Sequence, residues 1–300
     1  MKQPTRLEHF QLLWDQFDGR ERPAGAPMGT SVLLALLLAS FLVGSIAQAA
    51  PRAKLWHRWS AHDPQSSVTV DHGDWNRLLA NYVVRGGDDV NRLEYAAVGE
   101  DDRKRLRNYL AMLGRTPVSR LSRDEQFAYW INLYNALTVN LVLDHYPVTS
   151  IRKIGGGPFS AGPWGRKIFA VEGVELSLDD IEHRILRPLW RDPRIHYAVN
   201  CAAVGCPELA ARAYQATQME EMLESAARRY VNHPRGVALA NHRLKVSSIY
   251  VWYREDFGGG DSQVIAHLKA YAAPDLARAL SDIKRIDSHD YDWSLNDPRQ

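Results

Sequence analysis

The chain has 300 residues, of which 45% are hydrophobic and 24% charged, and its formal net charge is only +2 at pH 7. That composition suits a globular protein with a sizeable core, one large domain or two small ones. So small a charge, with no basic stripe interleaved with aromatics, excludes nucleic acid as an expected partner.

Residues 1–50 read as an N-terminal extension with a signal peptide. Ser31–Ala50 carries no charge, and its apolar body runs from Val32 to Val43. Ala47-Gln48-Ala49 follows as a small-x-small cleavage pattern. The apolar length is nearer a signal core than the ~20 residues of a spanning helix. Arg20 and Arg22 supply the positive flank expected on the cytoplasmic side. A start at Met28 would lose that flank. The expectation is export, periplasmic or extracellular, with cleavage near Ala49 or Ala50. The alternative is an inner-membrane anchor through residues 31–50, which is the only membrane attachment the sequence suggests.

Residues 51–69 form a polar linker with two tryptophans, Trp56 and Trp59, and a single globular domain is expected over 70–300. Trp75, Leu78, Leu79 and Tyr82 at helical spacing predict a helix over Asp74–Val83, broken by Gly86-Gly87-Asp88-Asp89. A second helix, Asp101–Leu113, has a charged first half. Ser122 with Glu125 is a capping box opening the longest helix, Arg123–His145, which Pro147 stops. Its core face is Phe127, Trp130, Ile131, Tyr134, Leu137 and Leu141. Asn132 and Asn135 are poor helix formers among large apolar neighbours, so they are exposed or bonded to something specific.

Gly155–Gly165 is a loop without a phosphate-binding pattern. Glu172-Gly173 marks a hairpin between Lys167–Val171 and Val174–Leu176. Ser177-Leu178-Asp179-Asp180 caps a helix to about Leu186, on which Glu182 and Arg187 form an ion pair. A short strand is expected over Ile195–Val199. Thr217 with Glu220 reads as a second capping box, for a helix to about Val231. Another hairpin turns at Asn241-His242-Arg243. Ser248–Phe257 is aromatic-rich and helical, further helices start at Asp261 and Pro274, and Ile283–Ile286 is a last strand. Helices and hairpins mixed without strict alternation predict an α+β fold: helix-rich, with a small mixed or antiparallel sheet.

Both cysteines, Cys201 and Cys206, lie in the run His196–Leu209, between the expected strand and Pro207. A thiol at a strand end before a helix start is placed for chemistry, because the helix terminus favours the thiolate. In an exported protein two cysteines also allow one disulfide, Cys201–Cys206.

Several blocks together resemble the domain-of-unknown-function 547 family. They are Phe127–Leu137, Leu176–Arg187, His196–Cys201 with Cys206-Pro207, and Tyr291–Asn296. The resemblance implies a mixed fold, often exported in bacteria, with no settled activity. It also implies that the first cysteine is better fixed than the second, which turns interest to Cys201.

As a nucleophile Cys201 needs a base. On an extended strand His196 would face away from it, which leaves His183 as the candidate base. Asn132, Asn135 or Asn200 would orient that base or stabilise an oxyanion. Glu182, Arg187, His196, Trp130 and Tyr134 are candidate binding residues. The reaction class is then a cysteine-dependent hydrolase or acyl transferase acting on an amide or ester. Two alternatives stay open: a non-catalytic envelope binding or interaction domain stapled by Cys201–Cys206, and a zinc site built from Cys201, Cys206, His183 and His196. No cofactor is implied, and the partner is an unidentified small molecule, peptide or envelope component.

Overall fold

A computed structural model describes residues 51–155 and 162–299. The expected leader, with its cleavage site or anchor, lies outside these residues, as does the middle of the glycine loop. Among the described residues no helix is long and apolar enough to cross a membrane.

The helical spacing of Trp75, Leu78 and Leu79 builds α1 (Gly73–Tyr82), and all three side chains are buried. The Gly86-Gly87 break is the turn of an unanticipated antiparallel hairpin, β1 (Val83–Arg85) with β2 (Asn91–Leu93). Next comes α2 (Glu100–Arg115), with Glu100, Asp101 and Asp102 in its first turn, where the helix dipole favours acids.

The hub is α3 (Arg123–His145), bounded as the sequence indicated. Ser122 accepts the Glu125 N–H at 3.3 Å, but the Glu125 carboxylate does not reach back to Ser122. It accepts the Val70 N–H at 2.7 Å and so ties the preceding segment to the helix. Every residue from Glu125 to Val139 is buried, so α3 has core on all sides rather than on one face. Truncating a wholly covered side chain such as Ile131 or Leu133 to alanine would cost about 2–5 kcal/mol.

The second hairpin, β3 (Phe169–Val171) and β4 (Val174–Leu176), turns at Glu172 and Gly173 with φ of 46° and 74°, a turn with both central residues left-handed. Ser177 and Asp180 then cap each other. Asp180 Oδ2 accepts the Ser177 N–H at 2.9 Å, and Ser177 Oγ accepts the Asp180 N–H at 3.1 Å. The helix they open is a π-helix, Asp180–Leu186, that continues as α4 (Arg187–Trp190). The 51–69 stretch crosses it: the Lys54 and Trp56 N–H groups donate to the carbonyls of His183 and Arg184, both at 2.9 Å.

The strand expected over Ile195–Val199 is instead one turn of helix, α5 (Ile195–Ala198). Asp192-Pro193-Arg194 decides this: Asp192 Oδ1 accepts the Arg194 N–H at 2.8 Å and the Asp192 carbonyl accepts the Ile195 N–H at 3.1 Å, which starts a helical turn. The odd-spacing argument that turned His196 away from Cys201 therefore does not apply. Thr217 is not a cap either. It lies in a 3₁₀ turn before α6 (Met219–Val231), and Glu220 pairs with Arg194 at 2.6 Å.

β5 (Val237–Ala240) and β6 (Arg243–Ser247) turn at Asn241 and His242, again both left-handed. In the aromatic-rich stretch only α7 (Ile249–Trp252) is helical. α8 (Asp261–Tyr271) and α9 (Pro274–Ala279) follow. The final strand is not Ile283–Ile286 but β7 (Ser288–Asp290), which adds in parallel to β6. The fold is thus helix-rich α+β, and among the described residues the sheets have two or three strands. Its buried apolar residues form a larger cluster around α3 and a smaller one around Tyr197, Tyr230 and Tyr250.

Candidate functional site

The cysteine loop is held by asparagines. Asn135 accepts the Asn200 N–H at 2.8 Å and donates its amide to the Ala198 carbonyl at 2.9 Å. One helical turn earlier, Asn132 makes the same two-point contact with Tyr214, at 2.9 and 2.8 Å. Asn200 closes the loop from inside, donating to the Pro207 carbonyl at 2.7 Å and accepting the Ala202 N–H at 2.8 Å. Each of these buried amides therefore has its oxygen and its nitrogen engaged by backbone. A buried polar group is stable when so satisfied, and an amide tied to backbone through both its oxygen and its nitrogen acts first as a structural clamp, with only its second N–H uncommitted.

Directly after Cys201, Ala202 takes a left-handed conformation with φ of 59°, which costs a non-glycine residue on the order of 1 kcal/mol or more. Asn200 Oδ1 on its N–H and the Asn296 N–H on its carbonyl, at 3.0 Å, hold it there. Segment 291–296 packs over the loop, with the Val204 N–H donating to Ser294 and the Gly205 N–H to Asp292, at 2.9 and 2.8 Å. Gly205 is required for that approach, since a Cβ there would sit 2.7 Å from the Asp292 nitrogen.

Both thiols are free, Cys201 half-buried and Cys206 buried. Their sulfurs are 2.9 Å apart, and the Cys201 N–H also reaches Cys206 Sγ at 3.0 Å. The Tyr291 hydroxyl lies 3.0 Å from Cys201 Sγ. Donating to Cys206 holds the Cys201 proton and, with burial, raises that thiol well above its ordinary range. Burial pushes Cys206 up too, but donation from the Cys201 thiol and N–H outweighs it, and the net direction is down. The pair gives up one proton readily and keeps the second.

Among the described residues no imidazole hydrogen-bonds either thiol. The histidines gather at a different cluster. Arg187 donates to His183 Nδ1 at 3.0 Å, so that nitrogen is unprotonated and the ring proton sits on Nε2, 3.5 Å from Asp179. With Nδ1 engaged by the Arg187 guanidinium, His183 is tied to this cluster and not to the thiols. His196 bonds Asp256 through Nε2 at 2.6 Å and stacks on Tyr253 with ring centroids 4.1 Å apart. Burial lowers its pKa against the opposing pull of Asp256 and Glu182. Asp256, pushed up by burial, is brought down to about 2 by the bonds from His196 and Arg187.

Arg187 pairs with Asp256, at 2.5 Å, and not with Glu182 as its helix position suggested. Glu182, only 8% exposed, takes no hydrogen bond from the described residues. Its Oε1 lies 3.7 Å from His196 Nδ1 and 3.8 Å from His183 Nδ1. The Glu182 carboxylate thus faces His183 Nδ1, which accepts from Arg187, so that two acceptors lie opposite each other.

The remaining candidates are placed simply. Trp130 and Tyr134 are core residues of α3, 1% and 2% exposed. Tyr134 and Tyr253, whose pKa values burial raises, feel the charges of both Glu182 and Cys201, so the two clusters flank the same pair of rings. The four residues of the zinc alternative divide between the thiol cluster and the imidazole cluster. Among the described residues no group of three or more His, Cys, Asp or Glu could hold a metal ion.

Three partners were not singled out from the sequence. Tyr291 was visible only as the start of a block, while Tyr253 and Asp256 were hidden in the stretch read as aromatic helix.

Residues 118–231 match the family model described as "Protein of unknown function, DUF547". The match spans the α3, Glu182–Arg187 and cysteine-loop blocks, and the resemblance drawn from those blocks is to this family. No curated protein and no solved structure matches the chain.

Proposed function

We propose that the cysteine loop is a dithiol–disulfide exchange site, working in the oxidising extracytoplasmic setting to which segment 31–50 points. The observation that carries this reading is the 2.9 Å contact between the Cys201 and Cys206 sulfurs, with Cys201 the more exposed of the two. An acyl-transferring Cys201 would need a base, and His183 and His196 are both committed elsewhere. A dithiol that shares one proton needs no separate base.

In the exchange, the proton passes across the sulfur contact to Cys206. Tyr291 then donates to the Cys201 thiolate, which attacks one sulfur of a substrate disulfide. The substrate S–S bond breaks, its other sulfur leaves as a thiolate and takes a proton, and a mixed disulfide forms at Cys201. Cys206, now deprotonated, attacks Cys201 Sγ, and the second substrate sulfur leaves and is protonated. The substrate takes up two electrons and two protons, one that the first leaving thiolate takes from Cys206 and one from water, and the protein is oxidised to Cys201–Cys206 with the loss of the single proton its pair shared.

Equilibration with glutathione or dithiothreitol buffers, followed by thiol trapping and mass measurement, tests this reading. The expected result is a reversible two-electron couple at or above about −270 mV, in the range of exchange-active pairs. A couple below about −300 mV would identify a structural staple. Cys206→Ser should accumulate a mixed disulfide at Cys201.

A further inference from the structure

The turn between α6 and β5 carries a cation that the exchange chemistry above does not use. His233 folds the chain back there: the Gly236 and Val237 N–H groups donate to its carbonyl at 2.8 and 3.0 Å, and the Arg235 N–H to its Nδ1 at 3.2 Å. A Cβ on Gly236 would collide with the Tyr230 carbonyl, so the turn lies close against the end of α6. That placement lays the Arg235 guanidinium over the Tyr230 ring, 5.2 Å from its centroid, and lets it donate to the Val204 carbonyl at 3.1 Å. The Tyr230 hydroxyl in turn donates to the Gly205 carbonyl at 2.6 Å. Guanidinium and ring thus hold the two residues that precede Cys206.

Arg235 is half-buried, and its Nε is covered and has no hydrogen-bond partner among the described residues. It forms no ion pair with any described residue either. Glu208 and Asp88, the carboxylates whose charge reaches it, are paired with Arg229 and Arg92. Arg103 and Arg123 also lack a carboxylate, but each gives its guanidinium to two or more acceptors. Covering a cation without a partner is costly, and burial lowers Arg235 from its ordinary pKa. A negative charge on the loop it holds offsets that cost, the more so away from water. Cys206 can carry that charge, and Arg235 is among the groups that bring its thiol down. Tyr95, Tyr134, Tyr230, Tyr253 and Tyr291 also feel the pair, but burial raises all five and keeps them neutral.

We infer that Arg235 is the counter-charge of the Cys206 thiolate and poises the couple toward its oxidising side. The inference rests on the exchange reading above and concerns the regulation of that site. In the Cys201–Cys206 disulfide neither sulfur is charged. Reduction by two glutathione thiols puts two electrons into the S–S bond, which breaks. Cys201 takes one of the two glutathione protons, the other goes to water, Cys206 is left negative, and glutathione disulfide leaves. Arg235 stabilises only the reduced side of that balance, so it raises the potential. The same charge makes Cys206 the better leaving group when a substrate thiolate attacks Cys201 of the disulfide.

The test separates charge from packing. Arg235→Gln and Arg235→Met remove the charge, and the methionine keeps an unbranched stem on the Tyr230 ring should the glutamine variant fail to fold. Arg235→Lys keeps the charge and loses the fork. Each is equilibrated beside the parent in glutathione buffers with thiol trapping and mass measurement, and its alkylation by iodoacetamide is followed against pH. At a fixed buffer ratio the neutral variants should hold at least about tenfold less reduced relative to oxidised protein, a potential about 30 mV more negative. Their thiol titration should move up, and Arg235→Lys should stay near the parent in both measurements. Equal shifts in the lysine and neutral variants would assign the effect to packing on Tyr230, and no shift in any variant would remove Arg235 from the site. Either result overturns the counter-charge and leaves the exchange site standing. A parent protein with no reversible couple would sink the exchange reading itself, and the counter-charge with it.

Discussion

The hydroxyl of Tyr291 lies 3.0 Å from the sulfur of Cys201, although 90 positions separate them in the chain. The Tyr291 phenol, raised well above its ordinary pKa by burial, stays protonated, and the Cys201 proton is engaged with Cys206. Tyr291 is therefore the donor. Tyr291→Phe removes a bond that lowers both thiols, so the titration midpoint of the pair should move up. Alkylation rates with iodoacetamide across pH 6–10 measure it. An unmoved profile would mean that Tyr291 only packs.

Asn132→Ala and Asn135→Ala each strip two buried backbone partners of their bonds. An unsatisfied buried group costs about 1–3 kcal/mol, so each variant should lose about 2–5 kcal/mol in denaturant unfolding. Asn140→Ala on the same helix is the control. Its amide bonds Asp144 at an exposed position, and its effect should stay within about 0.5 kcal/mol.

Acid should destabilise the fold well before carboxylates titrate. Burial lowers His72 and His267 to about 4 and lowers His196 as well. His72 bonds the Tyr109 hydroxyl at 2.7 Å, but its Nε2 has no partner among the described residues to welcome a proton. Between the ordinary histidine value near 6.5 and the folded value near 4, the unfolded chain binds more protons than the folded one. Stability is therefore full above about pH 6.5 and is lost as the pH falls toward 4. His72 alone contributes on the order of 3 kcal/mol over that range. Thermal unfolding between pH 7.5 and 4 should show the fall, and His72→Phe should flatten it.

Glu182→Gln puts an N–H donor and no charge among the acceptors that now face one another. At pH 8 this variant should be more stable than the parent by about 1 kcal/mol, read from the guanidinium midpoint. A clear loss of stability would show that the carboxylate is already neutralised within its cluster.

Gly205→Ala forces the backbone at Asp292 away from the cysteine loop. Overpacking of this kind costs typically 1–3 kcal/mol. Because Tyr291 moves with Asp292, the thiol titration should shift in the same direction as in Tyr291→Phe. Stability loss without that shift would separate the packing role of the segment from its electrostatic one.

Legibility in the sequence followed the range of the interactions. The ends of α3 were readable because Ser122 caps it within one turn and Pro147 stops it. The turns at Glu172-Gly173 and Asn241-His242 were readable because Gly173 and Asn241 are residue types that left-handed turn positions favour. Ile195–Ala198 was misread because strand-like composition yielded to the Asp192-Pro193 start. The site was only half readable. Its blocks were visible, but which side chains meet was not, since His196 and Arg187 find Asp256 across 60 and 69 positions. Asn132 and Asn135 were noticed as misplaced in a helix, and the reason was a pair of backbone segments that no local pattern announces.

The segment 291–296 also sets an order of events during synthesis. A chain lengthening from its N-terminus presents Cys201 and Cys206 on the growing polypeptide long before Tyr291 has been added. For that interval the two thiols are without the hydroxyl that lowers them and without the bonds that Ser294 and Asp292 give the Val204 and Gly205 backbone. Their final environment is acquired only once residues 291–296, which follow the last strand, Ser288–Asp290, lie on the loop. The reactivity of the pair is therefore a late acquisition of the nascent chain, assembled after most of the surrounding core can already have formed.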